Sequence, residues 1–118
     1  MNHRTVYYQT ITQQAAQRLI AGGRVRILDV RDAEEYESGH LPGAIHIPLY
    51  QITRKAPLLL PSRQRPLLVY CGSGARSLPA VQVLSVMGYS HLYNLGEGIA
   101  YWPYGLYKET KHRSGEGL

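Results

Sequence analysis

Leu67-Leu68-Val69-Tyr70 runs without a polar break straight into Cys71-Gly72-Ser73-Gly74-Ala75-Arg76-Ser77. A short apolar run bounded by turn residues suits a strand buried within a sheet. Past the glycines, Ala80, Leu84 and Met87 recur on one helical face with Val81 nearby, and Gly88 stops the run. A strand, a tight turn and a helix in direct succession form part of a crossover unit, which severely limits the folds available.

The rest of the chain repeats that alternation. Residues 7–11 read as a short strand, and Thr12 is placed to cap a helix to about Ala21 that Gly22-Gly23 ends. Residues 25–30 show a second buried-strand pattern. Asp32 with Glu35 three positions on resembles a capping box, and Gly39 closes that helix after barely two turns. Residues 44–47 read as a brief strand, 49–55 as helical, 57–66 as mostly loop, 91–95 as a strand and 99–106 as a final helix interrupted by Pro103. The expected fold is α/β: a small, mostly parallel central sheet of about five strands with helices on both faces. In such sheets ligands gather beyond the carboxyl ends of the strands, where Cys71 lies. One domain over residues 5–107 is expected, with residues 108–118 a polar, mobile tail.

Composition removes several function classes. No stretch approaches the roughly 18 apolar residues of a membrane span, and the polar N-terminus carries no apolar signal core, so a cytoplasmic location without membrane contact is expected. Arginine supplies ten of the thirteen basic side chains behind the net charge of +5. They are scattered, with no basic helix or aromatic-plus-basic motif, so nucleic acid is not an expected partner. One cysteine forms no internal disulfide. The five histidines, His3, His40, His46, His91 and His112, lie outside zinc-ligand spacings, so no metal is expected.

The chemistry therefore concentrates at Cys71. Small residues let the backbone of Gly72, Ser73, Gly74 and Ala75 curl so that successive N–H groups point inward as an anion nest. A helix starting near Ala75 or Arg76 adds unpaired N–H groups and a partial positive charge. Pro79 agrees with that register, since it lacks the donor that a first turn does not need. All of this favours thiolate over thiol.

The loop resembles the active-site loop of the rhodanese family, in which a catalytic cysteine opens a six-residue turn closed by arginine. Leu28-Asp29-Val30-Arg31, Glu35-Tyr36 and residues 39–48 (GHLPGAIHIP) are similar to that family's first signature. Leu95-Gly96-Glu97-Gly98 followed by Trp102 resembles its glycine pair and tryptophan, with Glu97 inserted between the glycines as a departure that bears on the shape of that turn. The resemblance implies a thiosulfate sulfurtransferase. Cys71 would take sulfur from thiosulfate or a related persulfide donor and pass it to cyanide or a thiol, such as that of a thioredoxin-like protein, with no cofactor. The loop amides of residues 72–76 would hold the persulfide's charge, and Arg76 would stabilise the loop or the donor anion. Asp29, Arg31 and Ser77 would support the loop, Asp29 and Arg31 either by pairing with loop groups or as a plain surface ion pair. His40 would orient the turn at Gly39.

Two other readings start from the same loop. A cysteine-dependent phosphatase or arsenate reductase uses a similar nest, but tyrosine-phosphatase loops place five residues between cysteine and arginine where this chain has four. No general-acid aspartate follows the loop either. A non-catalytic rhodanese-like binding module would typically lack the cysteine.

Overall fold

The computed structural model describes residues 7–108. Five strands, β1 (Tyr8–Ile11), β2 (Arg26–Asp29), β3 (Ile45–His46), β4 (Leu67–Tyr70) and β5 (Leu92–Leu95), form one parallel sheet in the order β1-β5-β4-β2-β3. The apolar run Leu67–Tyr70 is thus the central strand. It is buried at every position, with Leu28 and Asn94 flanking Val69 on its two sides.

Because side chains alternate across a strand, β4 serves two cores. Leu67, Val69 and then Cys71 pack with Ile52 and Ala56 of α3 (Ile52–Leu59) and Ala80, Val81 and Leu84 of α4 (Ser77–Val86). Leu68 and Tyr70 face the opposite layer with Ala16 of α1 (Gln13–Gly22) and Tyr36 of α2 (Ala33–Ser38). Helices cover both faces, as expected. The cysteine therefore points toward the layer that contains the start of α4.

Local signals set most boundaries. Thr12 Oγ1 accepts from Ala15 N at 3.1 Å, and Gly23 closes α1 in the left-handed region at φ +75. Glu35 Oε1 accepts from Asp32 N at 3.0 Å, one half of the anticipated capping box. Two segments differ from the sequence reading. The expected loop after residue 56 is partly helical, since α3 continues through Pro57 to Leu59. Burial of Ile52, Ala56 and Leu60 outweighs the lost donor, and the Tyr89 hydroxyl donates to the carbonyls of Ala56 and Leu60. Residues 99–106 form turns and no helix. The N–H groups of Ile99 and Ala100 are committed to Cys71 O and Gly72 O at 3.1 and 3.0 Å, and Tyr107 instead bridges to His40. Of the expected polar tail, residues 109–118 lie outside the described residues, as do residues 5 and 6 at the start of the expected domain.

Candidate active site

β4 ends at Tyr70, so Cys71 begins the turn at the carboxyl edge of the sheet. Three backbone N–H groups converge on its Sγ: Gly74 at 3.1 Å, Ser77 at 3.2 Å and Arg76 at 3.3 Å. Arg76 caps α4 and Ser77 is its first residue, so two of the donors are orphan amides of a helix start. Burial of Cys71 pushes the thiol up, but the N–H groups of Arg76, Ser77 and Gly74, with the Ser77 hydroxyl, more than reverse this. The net shift is downward from 9.0. Of the anticipated donors, Gly74 and Arg76 reach the sulfur, while Gly72, Ser73 and Ala75 do not. Ser77, expected only to support the loop, donates directly.

The loop is clamped from two sides. Gly74 sits at φ +97, and a Cβ there would run into the Gly96 carbonyl oxygen. Gly98, at φ +68, packs against the carbonyl of Gly72 and the N of Ser73 just as tightly. The glycines around Glu97 are therefore the wall against which the cysteine turn is pressed. Glu97 itself projects away and accepts from Gln13 N at 2.7 Å, so the inserted residue helps to cap α1. On the other side Arg76 makes a two-pronged pair with Glu35, Nη1 to Oε1 at 2.7 Å and Nη2 to Oε2 at 2.9 Å, with Asp32 4.0 Å away. The guanidinium holds the Glu35 carboxyl down at about 2, and Glu35 in turn raises the Arg76 value. Glu35 entered the sequence reading only as a cap and as part of a motif. Nothing in the linear order says that it faces the cysteine loop.

Asp29 and Arg31, expected to pair with loop groups or at the surface, are hydrogen-bonded to each other, with side-chain exposures of 0% and 8%. They form a buried pair at 2.7 Å beneath the site. Tyr70 OH donates to Asp29 Oδ2 at 2.6 Å and accepts from Leu41 N at 3.0 Å, while Arg31 Nη2 reaches Gly39 O at 2.6 Å. Burial raises the Tyr70 phenol further, keeping it a donor. This network ties β2 and β4 to the turn at residues 39–41. His40 lies in that turn as anticipated, its Nδ1 2.7 Å from Tyr36 O and its ring stacked on Tyr36 at 3.7 Å. Among the described residues no group of His, Cys, Asp and Glu is arranged to hold a metal ion, and no helix is long and apolar enough to cross a membrane.

Both the sequence and the fold that carry this cysteine have counterparts among known proteins. The family model described as rhodanese-like domain matches residues 12–103. The chain belongs to the rhodanese family. It is 39% identical over 69 residues to the thiosulfate sulfurtransferase PspE of Escherichia coli (strain K12), covering 58% of this chain and 66% of that protein, just under two thirds of its length. It is 30% identical over 95 residues to the thiosulfate sulfurtransferase GlpE of Coxiella burnetii (strain RSA 331 / Henzerling II), covering 80% of this chain and 87% of that one. The human single-domain sulfurtransferase TSTD1 superposes with a TM-score of 0.71 at 28% identity, covering 79% of this chain and 93% of that chain. The five-stranded parallel sheet with its helices matches the fold of such rhodanese-like neighbours.

Proposed function

We propose that this rhodanese-family chain is a sulfurtransferase that carries sulfane sulfur as a persulfide on Cys71. The observation behind this reading is the convergence of three N–H groups on one sulfur atom. Donors fixed in place before reaction stabilise a thiolate, and then a persulfide anion, without reorganising. In the first half-reaction the Cys71 thiolate attacks the outer sulfur of thiosulfate. The sulfur–sulfur bond of the donor breaks, and sulfite leaves with the electron pair. In the second, a thiolate or cyanide attacks the outer sulfur of the persulfide, and Cys71 departs as thiolate. No proton acceptor is needed, since both nucleophiles are already ionised.

Cys71 has no exposed surface, so uptake requires the turn to part. Its compliant portion is Ala75, which is exposed and is held neither by the residue 96–98 wall nor by the thiol. Phosphoryl transfer fits less well, because the Arg76 guanidinium that would hold equatorial oxygens is already occupied by Glu35. Intact mass after incubation with thiosulfate tests the proposal: wild type should gain one sulfur atom and Cys71→Ser none. A serine variant that gains sulfur, or a wild type that does not, refutes it.

A further inference from the structure

A cleft lies at the end of the sheet opposite Cys71, between the end of α1, the start of β2 and the turn before β3. Its volume is about 350 Å³. Ile20, Val25, Ile27 and Ile45 give it an apolar wall, and Arg26 and Arg65 line it with them. Gly43 also borders it, and no atom lies within 4 Å of where a Cβ would stand there. β2 starts at this cleft and reaches Asp29, beneath the cysteine turn, only at its far end.

The two arginines are uncompensated. Arg26 Nη2 donates to Leu59 O at 3.1 Å, which pins one edge of its guanidinium. Neither Arg26 nor Arg65 has an ion-pair partner among the described residues. Burial lowers the Arg26 value and the charge of Arg65 lowers it further, so each cation lies within electrostatic reach of the other. The sequence explains the missing acid: residues 1–28 and 38–96 contain no Asp or Glu, and every residue lining the cleft comes from those stretches. Asp29 is taken by Arg31, while Asp32, Glu34, Glu35 and Glu37 follow the carboxyl end of β2 and Glu97 that of β5. The other cations of the two acid-free stretches, among them Arg18, Arg24 and Arg63, only add charge of the same sign.

We propose that this cleft binds a small phosphate monoester with an apolar body. A dianionic head matches two guanidinium groups, whose planar forks each suit a pair of its oxygens. The body would pack on Ile20, Val25, Ile27 and Ile45. The volume lies near the lower end of the range for ligand pockets, which suits a body about the size of one aromatic ring. A carboxylate would answer only one of the two charges, and inorganic phosphate would leave the apolar wall wet. The proposal is independent of the sulfur chemistry at Cys71.

The test is a titration of the isotope-labelled full chain with phenyl phosphate, followed by amide NMR shifts. The amides of Val25, Ile27, Gly43 and Ile45 should move and saturate. Inorganic phosphate, lacking the ring, and benzoate, lacking the second charge, should each bind at least about tenfold more weakly. Arg65→Gln should weaken phenyl phosphate at least about tenfold. Arg65→Glu should abolish binding without lowering the unfolding temperature, because Arg26 then gains a partner. Binding at the cysteine nest would instead move the amides of Gly74, Arg76 and Ser77. Shifts confined to those three, inorganic phosphate as tight as phenyl phosphate, or unchanged affinity in a folded Arg65→Gln protein overturns the proposal. So does cosedimentation with phosphatidate vesicles in the absence of any response to phenyl phosphate, which would make the ligand a lipid headgroup and not a free ester.

Discussion

Replacing Gly74 by alanine separates the loop's geometry from its composition. Alanine at φ +97 leaves the region open to L-residues, a conformational strain of about 1–2 kcal/mol. The new methyl would also collide with the Gly96 carbonyl, a backbone atom that cannot rotate aside. Relief requires the turn to lift off the residue 96–98 wall, on the order of an ångström, and the Gly74 N–H leaves Sγ with it. Loss of one donor shifts the balance at Cys71 back toward burial, so its pKa should rise toward 9.0. A misplacement of about 1 Å can cost roughly a hundredfold in rate. The assays are the pH dependence of iodoacetamide alkylation, the rate of sulfur uptake from thiosulfate by intact mass, and thermal unfolding. Gly43→Ala is the control: φ is +81 there, but nothing lies within 4 Å of the added Cβ. It should lose comparable conformational stability while leaving the alkylation profile unmoved. A folded Gly74→Ala protein with wild-type alkylation and uptake would refute the argument that this clamp sets the thiolate.

Other substitutions probe the surrounding supports. Glu35→Gln should loosen Arg76 and slow sulfur uptake several-fold, with a stability loss of no more than about 1 kcal/mol because the pair is half exposed. A carboxyl whose value is lowered on folding stabilises the fold above its unfolded value and ceases to do so as pH falls through the folded one. The stability gap between wild type and Glu35→Gln should therefore be full above pH 4.5 and close toward about 2, which acid titration of unfolding midpoints would reveal. Tyr70→Phe removes one donor from Asp29 and strands the Leu41 N–H, and should destabilise by about 1–3 kcal/mol, with alkylation of Cys71 unchanged in the folded protein. Inserting a glycine between Ser73 and Gly74 should leave circular dichroism intact and cut sulfur transfer about a hundredfold by spreading the three donors. A wild-type rate would show that ring size does not select the substrate.

The features legible in the sequence are those set by neighbours along the chain. β4 and its turn announce themselves through an unbroken apolar run followed by glycines, and Pro79 fixes the helix register to within two residues of Ser77. Thr12 and Gly23 mark α1 by capping chemistry that acts over three or four positions. The sequence is silent wherever a distant group settles the matter. Proline argues for a loop at residue 57, yet Tyr89, thirty-two positions on, supplies a hydroxyl to that helix's last carbonyls. Residues 99–106 read as a helix interrupted by Pro103, yet their first amides are taken by the cysteine turn. Asp29 and Arg31 are two apart on a strand end, a spacing that suits a surface pair as well as a buried one. The hydroxyl of Tyr70 on the adjacent strand and the carbonyl of Gly39 make the interior favourable.

The same distinction explains how the site is built. Burial alone would make Cys71 an inert apolar side chain, so its acidity depends on donors whose positions are fixed before any substrate arrives. A six-residue turn with two glycines does not hold such positions unaided, since flexible residues lose the most freedom on ordering. The rigidity is imported: from Gly96 and Gly98 in the turn after β5, which press on Gly72, Ser73 and Gly74, and from Glu35 on α2, which fixes Arg76. Each support comes from a different parallel strand's carboxyl end, which the order β1-β5-β4-β2-β3 brings to the two flanks of β4. The sheet's contribution to the chemistry is thus to place three turns side by side, so that the one carrying the cysteine can be both soft in sequence and stiff in space.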